Sequence, residues 1–409
     1  MPNATCRFCS APLTETFVDL GMSPLCESYL PADKLNHMEP FYPLHVWVCG
    51  KCFLVQLEQY VSEQEIFTEY AYFSSYASSW VKHAEDYVAA MIERLRLGPK
   101  SFVVELASND GYLLQHFVKR HVPCLGIEPA ANVAKAAKDK GVETLVKFFD
   151  EKLGAALAAE GRQADLIAGN NVLAQVPDLN SFVAGIRNLL KPGGTVTLEF
   201  PHLQRLVEGN QFDTIYHEHF SYFSLLSVEK IFAAHGLAVF DVEELWTHGG
   251  SLRIYGKHAN DPRPVGERVI ALRRREADLG YDRLETYRAF DRKVQELKRR
   301  LLSLLIRARD EGKRVVGYGA PGKGNTLLNY CGIRTDLIEF TVDKNPYKQG
   351  RFLPGTHIPI HAPEKIDEAR PDYIFILPWN FKDEILAQLA HARSWGAKFI
   401  VPIPEPAVL

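Results

Sequence analysis

Residues 214–224 read Thr214-Ile215-Tyr216-His217-Glu218-His219-Phe220-Ser221-Tyr222-Phe223-Ser224, the densest block of ionisable and aromatic side chains in the chain. Two histidines around one glutamate suit three roles: metal ligation, general-base catalysis with supporting groups, or a polar corner of a core. Four cysteines form a second cluster. Cys6-Arg7-Phe8-Cys9 and Cys49-Gly50-Lys51-Cys52 each place two sulfurs in one tight turn, bordered by strand-like runs at 44–48 and 54–57. That is a zinc-ribbon layout, the alternative being two unrelated redox or structural turns. Four thiolates close a tetrahedral shell, so the Zn2+ expected on Cys6, Cys9, Cys49 and Cys52 is structural and not catalytic. The 39 residues between Cys9 and Cys49 predict a separate excursion, with Cys26 as a spare buried thiol.

These groups need elements to hold them, and from residue 102 the pattern alternates strand with helix. An apolar run at 102–106 ends in Ala107-Ser108-Asn109-Asp110-Gly111 ahead of a helical stretch at 112–120. Small residues let a ligand approach the backbone, and a helix N-terminus offers N–H donors. The next strand, 123–127, ends in Glu128, a carboxylate suited to a ribose diol. A third strand at 142–146 leads to Phe148-Phe149-Asp150, and a fourth at 165–169 leads to Asn170-Asn171. A helix at 179–190 and the turn Lys191-Pro192-Gly193-Gly194 precede a strand at 195–200. A helix at 228–235 and strands at 238–243 and 252–255 finish this domain. His248-Gly249-Gly250-Ser251 is either a loop at the edge of a site or a tight turn. Before the domain, 60–98 carries an aromatic cluster and then a helical run, and Tyr72 and Tyr76 are its candidates to reach a substrate.

The Arg-, Lys-, Glu- and Leu-rich stretch 263–312 has apolar residues at steps of three and four, which predicts one long connecting helix. A second α/β unit follows: a strand at 314–318, the turn Gly319-Ala320-Pro321-Gly322-Lys323-Gly324-Asn325, a helix at 326–330, and strands at 338–342, 373–377 and 398–401. Lys323 makes this turn a candidate diphosphate or nucleotide cradle, and Trp379 and Asn380 reach toward the same crevice. The expected organisation is α/β: a zinc-binding module at 1–75, a Rossmann-like methyltransferase domain at 76–260, the connecting helix at 261–312, and a smaller Rossmann-like domain at 313–409.

The methyltransferase assignment rests on resemblance. Glu105-Leu106-Ala107-Ser108-Asn109-Asp110-Gly111 lacks the Gly-x-Gly-x-x-Gly of NAD(P) proteins and looks like the first motif of class I S-adenosylmethionine methyltransferases. That implies cofactor contacts from Glu105, Ala107, Asn109, Asp110, Gly111, Glu128, Phe149, Asn170 and Asn171. With the cysteine module, Tyr216-His217-Glu218-His219 and Gly317 to Asn325, the whole chain resembles the C-methyltransferases that act on nucleotide-linked keto-deoxy sugars. The resemblance implies a sugar, typically thymidine-diphosphate-linked with a ketone at carbon 4, methylated at the neighbouring carbon. It implies His219 as the base that removes the carbon-bound proton, Tyr216 near the developing enolate oxygen, and Glu218 as an orienting partner. His217 is expected to be structural. Substrate contacts are expected from Tyr72, Tyr76, Gln175, His248, Lys323, Asn325, Trp379 and Asn380. Related members often carry a histidine in place of Gln175, and a carboxamide hydrogen-bonds but takes no proton at neutral pH. The rival readings are O- or N-methylation on the same scaffold, or an oxidoreductase.

Composition narrows the partners. Lys+Arg 47 against Asp+Glu 50 gives a formal charge of -3 without a basic stripe, which argues against nucleic acid. No apolar run reaches membrane-spanning length and the N-terminus has no signal-like pattern, so a cytoplasmic protein, monomeric by preference, is expected. Seven cysteines, four of them in Cys-x-x-Cys pairs, fit reduced thiols.

Overall fold

The seven-stranded sheet of the first unit has the spatial order Leu237–Leu245, Ser251–His258, Leu190–Pro201, Ala164–Asn170, Val103–Leu106, Cys124–Ile127, Thr144–Leu145. The last five strands in that order are parallel, and Ser251–His258 pairs antiparallel with both of its neighbours. Parallel strands covered on both faces need unbroken apolar runs, and Val103–Leu106 and Cys124–Ile127 are buried at every position. The helix Ser78–Leu95 buries Ala84, Tyr87, Val88 and Met91 in a core shared with Leu113 and Phe117. This is the class I methyltransferase fold, and it brings Leu106, Glu128 and Asn170 to the carboxyl ends of adjacent strands, where open α/β sheets bind ligands.

A computed structural model describes residues 4–67, 73–76 and 78–409, and the chain divides into two units assembled from separated stretches. The first comprises Met1–Leu13, Cys49–His202 and Phe220–Asp282; the second comprises Thr14–Val48, Leu203–His219 and Arg283–Leu409. The excursion between the cysteine pairs therefore belongs to the second unit. Its antiparallel hairpin, Glu15–Ser23 with Tyr42–Val48, packs on the helix Leu284–Asp310, where Phe17 stacks on Phe290 at 4.6 Å between ring centres. The rest of the second unit is a six-stranded sheet: Ile360–His361, Thr341–Val342, Val315–Tyr318, Tyr373–Ile376, Lys398–Val401 and Ala407–Val408, the last antiparallel.

Three elements differ from the sequence reading. The expected long helix is two, Glu267–Asp278 and Leu284–Asp310; Gly280, at φ +81°, ends the first by taking the left-handed conformation that a helix C-terminus favours. The helix expected at 326–330 starts at Gly322, because Pro321 fixes the entry and its carbonyl accepts from Gly324 and Asn325 N–H. Lys323 and Asn325 thus lie in a helical first turn, not in an open loop. The turn Lys191 to Gly194 is a bulge within Leu190–Pro201, where the pairing register shifts. No helix among the described residues is long and apolar enough to cross a membrane.

Phe290 is fully buried and stacks on Phe17, whose ring also meets Tyr287 edge-on. Phe290→Ala is expected to destabilise the second unit by about 3–5 kcal/mol, read as a lower denaturation midpoint in urea; a loss below about 1 kcal/mol would contradict this packing account.

Candidate active-site residues and metal centre

Cys6 Sγ lies 3.6 Å from Cys52 Sγ, and Cys9 Sγ lies 3.5 Å from Cys49 Sγ. All four sulfurs fall within 4.8 Å of one another. Tetrahedral zinc with bonds of about 2.3 Å separates its sulfurs by about 3.8 Å, whereas a disulfide holds them at about 2.05 Å. The cluster fits a zinc ion. Both turns have one shape: Ser10 N–H donates to Cys6 O and Phe53 N–H to Cys49 O, with Ser10 and Phe53 in the left-handed region. Gln56 Nε2 donates to Cys6 Sγ at 3.2 Å, and Arg7 ties the first turn to the first unit by donating to Pro177 O at 2.9 Å and to Leu57 O.

The turn at 107–111 carries backbone strain and is fixed by one carboxylate. Ala107, Asn109 and Gly111 all have positive φ, a conformation that costs a residue such as alanine about 1–2 kcal/mol. At Gly111 an added Cβ would lie 3.1 Å from Val142 and 3.2 Å from Ala137, so a side chain there would press on both neighbours as well as strain the left-handed backbone. Glu128 Oε2 accepts from Asn109 N–H and Oε1 from Ala130 N–H, both at 2.9 Å; burial raises its pKa and these two bonds oppose the rise. Burial also raises the Glu105 carboxyl well above the ordinary carboxylate range, against a hydrogen bond with Tyr112. The side chains of Asn109 and Asp110 face a short turn of the same unit, accepting from Ser74 and Ser75 N–H, and Lys140 Nζ lies 3.0 Å from Asp110 Oδ2. Asn171 is left-handed at φ +55°. Beside it Asn170 is buried, with neither carboxamide atom bonded among the described residues. A strained small-residue turn, a carboxylate at the next strand end and an unsatisfied buried carboxamide are a donor set that fits S-adenosylmethionine. Phe149 packs edge-on against Phe182 at 5.4 Å.

A buried charge cluster next to His248 escaped the sequence reading. Glu199 Oε2 accepts from Arg253 Nη2 at 2.6 Å and from His83 Nε2 at 3.0 Å, while Thr247 Oγ1 donates to Oε1 at 2.8 Å. Burial alone would raise the Glu199 pKa, but His83 and Arg253 outweigh it and hold the carboxyl at about 2. Glu199 and Arg253 lie directly opposite on antiparallel strands, a register that no local pattern reveals. Thr247 anchors the turn that carries His248, itself left-handed at φ +54° and 5.4 Å edge-on from Trp80. Tyr76 is exposed and stacks on Phe73; Gln175 is half-buried at the end of the turn Leu173–Gln175; Tyr72 lies outside the described residues.

In the second unit, His219 Nδ1 is 3.1 Å from Thr214 O. A carbonyl only accepts, so Nδ1 carries the proton and Nε2 is the basic nitrogen. The Tyr216 ring lies 4.1 Å from the His219 ring. His217 donates through Nε2 to Pro43 O at 3.1 Å, and burial lowers its pKa, which suits the structural role expected of it. Glu218 lies 3.9 Å from Cys26 Sγ; burial first, then the nearby Glu27 charge, push its carboxyl up to about 8, so it is neutral at pH 7. In the second turn Asp343 Oδ2 accepts from Ala320 N–H and Oδ1 from Asn345 N–H. Lys323 Nζ donates to Asn380 Oδ1 and lies 4.5 Å over the Trp379 ring, while Trp379 Nε1 donates to Asp213 Oδ2 at 2.7 Å. Asn325 Nδ2 donates to Cys26 O at 2.6 Å.

Three family models match in succession: a putative zinc binding domain at residues 6–67, a methyltransferase domain at 80–242, and a C-methyltransferase C-terminal domain at 246–404. Among solved structures, an S-adenosylmethionine-dependent methyltransferase from Clostridium acetobutylicum is 14% identical with a TM-score of 0.37, covering 44% of this chain and 92% of that one. Magnesium protoporphyrin IX methyltransferase from Synechocystis, with bound SAM, is 14% identical with a TM-score of 0.33, covering 43% and 78%. The chain is also 36% identical over 408 residues to the C-methyltransferase NovU of Streptomyces niveus, covering 100% of this chain and 97% of its relative. The chain belongs to this C-methyltransferase family. As a member it is an S-adenosylmethionine-dependent methyltransferase that forms a bond to carbon. The thiolate cluster lies within the matched zinc-binding range, and the small-residue turn at 107–111 lies within the matched methyltransferase range.

The thiolate cluster predicts one zinc per chain. Cys9→Ser is expected to lose the metal and to destabilise the protein by more than about 4 kcal/mol; full metal content in the variant by atomic absorption would exclude the assignment. Glu218 supplies a pH signature. A carboxyl whose folded pKa lies above its unfolded value of 4.5 stabilises the fold in neutral form, fully at low pH, and that contribution is lost as pH rises to about 8. Glu218→Gln keeps the uncharged shape and is expected to flatten this decline, so parallel wild-type and variant stability curves across that window in urea melts would count against it.

Proposed function

We propose that this enzyme methylates the carbon beside the ketone of a nucleotide-linked keto-deoxysugar, with thymidine diphosphate as the expected nucleotide and His219 as the base. Carbon bound to hydrogen is not a nucleophile; it becomes one when a proton leaves the position next to a carbonyl and the charge moves onto oxygen. S-adenosylmethionine supplies the methyl group. The observation that carries the reading is the His219–Thr214 hydrogen bond, which leaves the imidazole with its basic nitrogen at Nε2. Tyr216, whose ring lies tilted 4.1 Å from that imidazole, is the hydroxyl assigned to the enolate oxygen. Glu218, neutral at pH 7, can donate a hydrogen bond to the sugar as well as accept one. Gln175 is assigned a substrate hydrogen bond and no proton transfer. The nucleotide is assigned to the second unit, at the carboxyl ends of its parallel strands beside Gly319 and Asn325.

The test is a screen of keto-sugar nucleotides with labelled donor, followed by NMR of the product. His219→Asn is expected to lower turnover about 10²- to 10⁴-fold while S-adenosylmethionine binding persists. Wild-type protein should exchange solvent deuterium into the carbon next to the ketone, and the variant should not. Unchanged turnover in a folded variant would remove His219 from the base role, and methylation at oxygen or nitrogen would overturn the reaction itself.

A further inference from the structure

We infer that Trp379, Asp213 and Thr326 are positioning residues that hold His219 in its Nδ1-protonated tautomer by clamping the short turn Phe212–Thr214. The inference rests on the reading of His219 as the base. The Thr214 carbonyl that accepts the His219 Nδ1–H hydrogen bond sits between two fixed points. On one side Asp213, completely buried, accepts from the Trp379 indole at 2.7 Å. On the other, Thr326 Oγ1 donates to Ile215 O at 2.9 Å. Phe212 completes the clamp by packing edge-on against Tyr330 at 5.3 Å. Thr326 and Tyr330 lie one turn apart on the helix Gly322–Cys331, so the glycine-rich motif that opens this helix also fixes where its clamp residues stand.

The electrostatics agree with the geometry. Lys323 lies over the Trp379 ring and attracts the Asp213 carboxylate. Burial raises Asp213 to about 6 despite that attraction, and burial lowers Lys323 to about 8. Trp379 is almost wholly buried, with its indole N–H committed to Asp213, and Lys323 is committed to Asn380. Side chains that the sequence alone suggested for nucleotide contact thus support the backbone of the base-bearing segment.

The experiment uses full-length, zinc-loaded protein with 15N-labelled histidine, and Trp379→Phe and Thr326→Val as separate variants, each shape-conserving and checked for folding by its melting transition. Long-range 1H–15N correlation spectra, with His219 assigned by its disappearance in His219→Asn, are expected to show the Nδ1–H tautomer in wild type and a mixture of tautomers in both variants. With the keto-sugar nucleotide from the screen, Trp379→Phe is expected to lower kcat about 10- to 100-fold with little change in KM for S-adenosylmethionine, and to cause no further loss in a His219→Asn background. An unchanged His219 spectrum in both variants overturns the inference, as does a loss in the double variant equal to that in wild type. If the spectra move but His219→Asn turns over at the wild-type rate, the base assignment fails and the positioning role stands.

Discussion

In each unit one carboxylate at the end of a strand fixes the turn after the neighbouring strand. Glu128 takes the N–H of Asn109 on one oxygen and that of Ala130, two residues on, on the other. Asp343 takes the N–H of Ala320 on one oxygen and that of Asn345, again two residues on, on the other. The residue before the bonded turn position also repeats, since Ser108 N–H donates to Ile127 O and Gly319 N–H to Val342 O. A carboxylate accepting two backbone donors is a short-range lock: the turn cannot relax without stranding a buried charge. The left-handed residues at 107, 109 and 111, which would unwind in an isolated peptide, persist because this lock and the strands around it over-determine them.

Two buried carboxyls, Glu199 and Asp213, shift in opposite directions, and a guanidinium in direct contact makes the difference. Glu199 has a guanidinium, an imidazole and a hydroxyl, enough to overcome its desolvation and keep it ionised. Asp213 has the Trp379 indole N–H, the backbone N–H groups of Asp213 and Thr214 and the field of Lys323, neutral donors but for the last, and desolvation wins. The first arrangement is a rigid support beneath the turn carrying His248. The second is held closer to balance, beside the segment that carries the proposed base.

The cysteine pairs, the small-residue turn at 107–111 and the apolar strands were legible because their signals are local: two sulfurs per turn, a run of buried residues, a glycine at a left-handed position. The Tyr216 to His219 block stood out by composition for the same reason. What could not be read depends on pairing across long stretches of chain. Arg253 in a strand signals a buried charge only once its register opposite Glu199 is known. The hydrogen bonds of Trp379 to Asp213 and of Lys323 to Asn380 each join residues more than fifty positions apart, which no local pattern announces. The single long helix expected at 263–312 ends at Gly280 because one left-handed glycine outweighs an otherwise continuous helical pattern.

The chain passes from one unit to the other after residues 13, 48, 202, 219 and 282. A ribosome making this protein therefore completes neither unit early: the first lacks its antiparallel edge strands until about residue 258 has emerged, and the hairpin at residues 15–48 waits for the helix Leu284–Asp310. Stop codons or fusion points placed at the boundaries of the three sequence domains would sever partners on both sides. A fragment that ends at any of these crossings lacks stretches of both units.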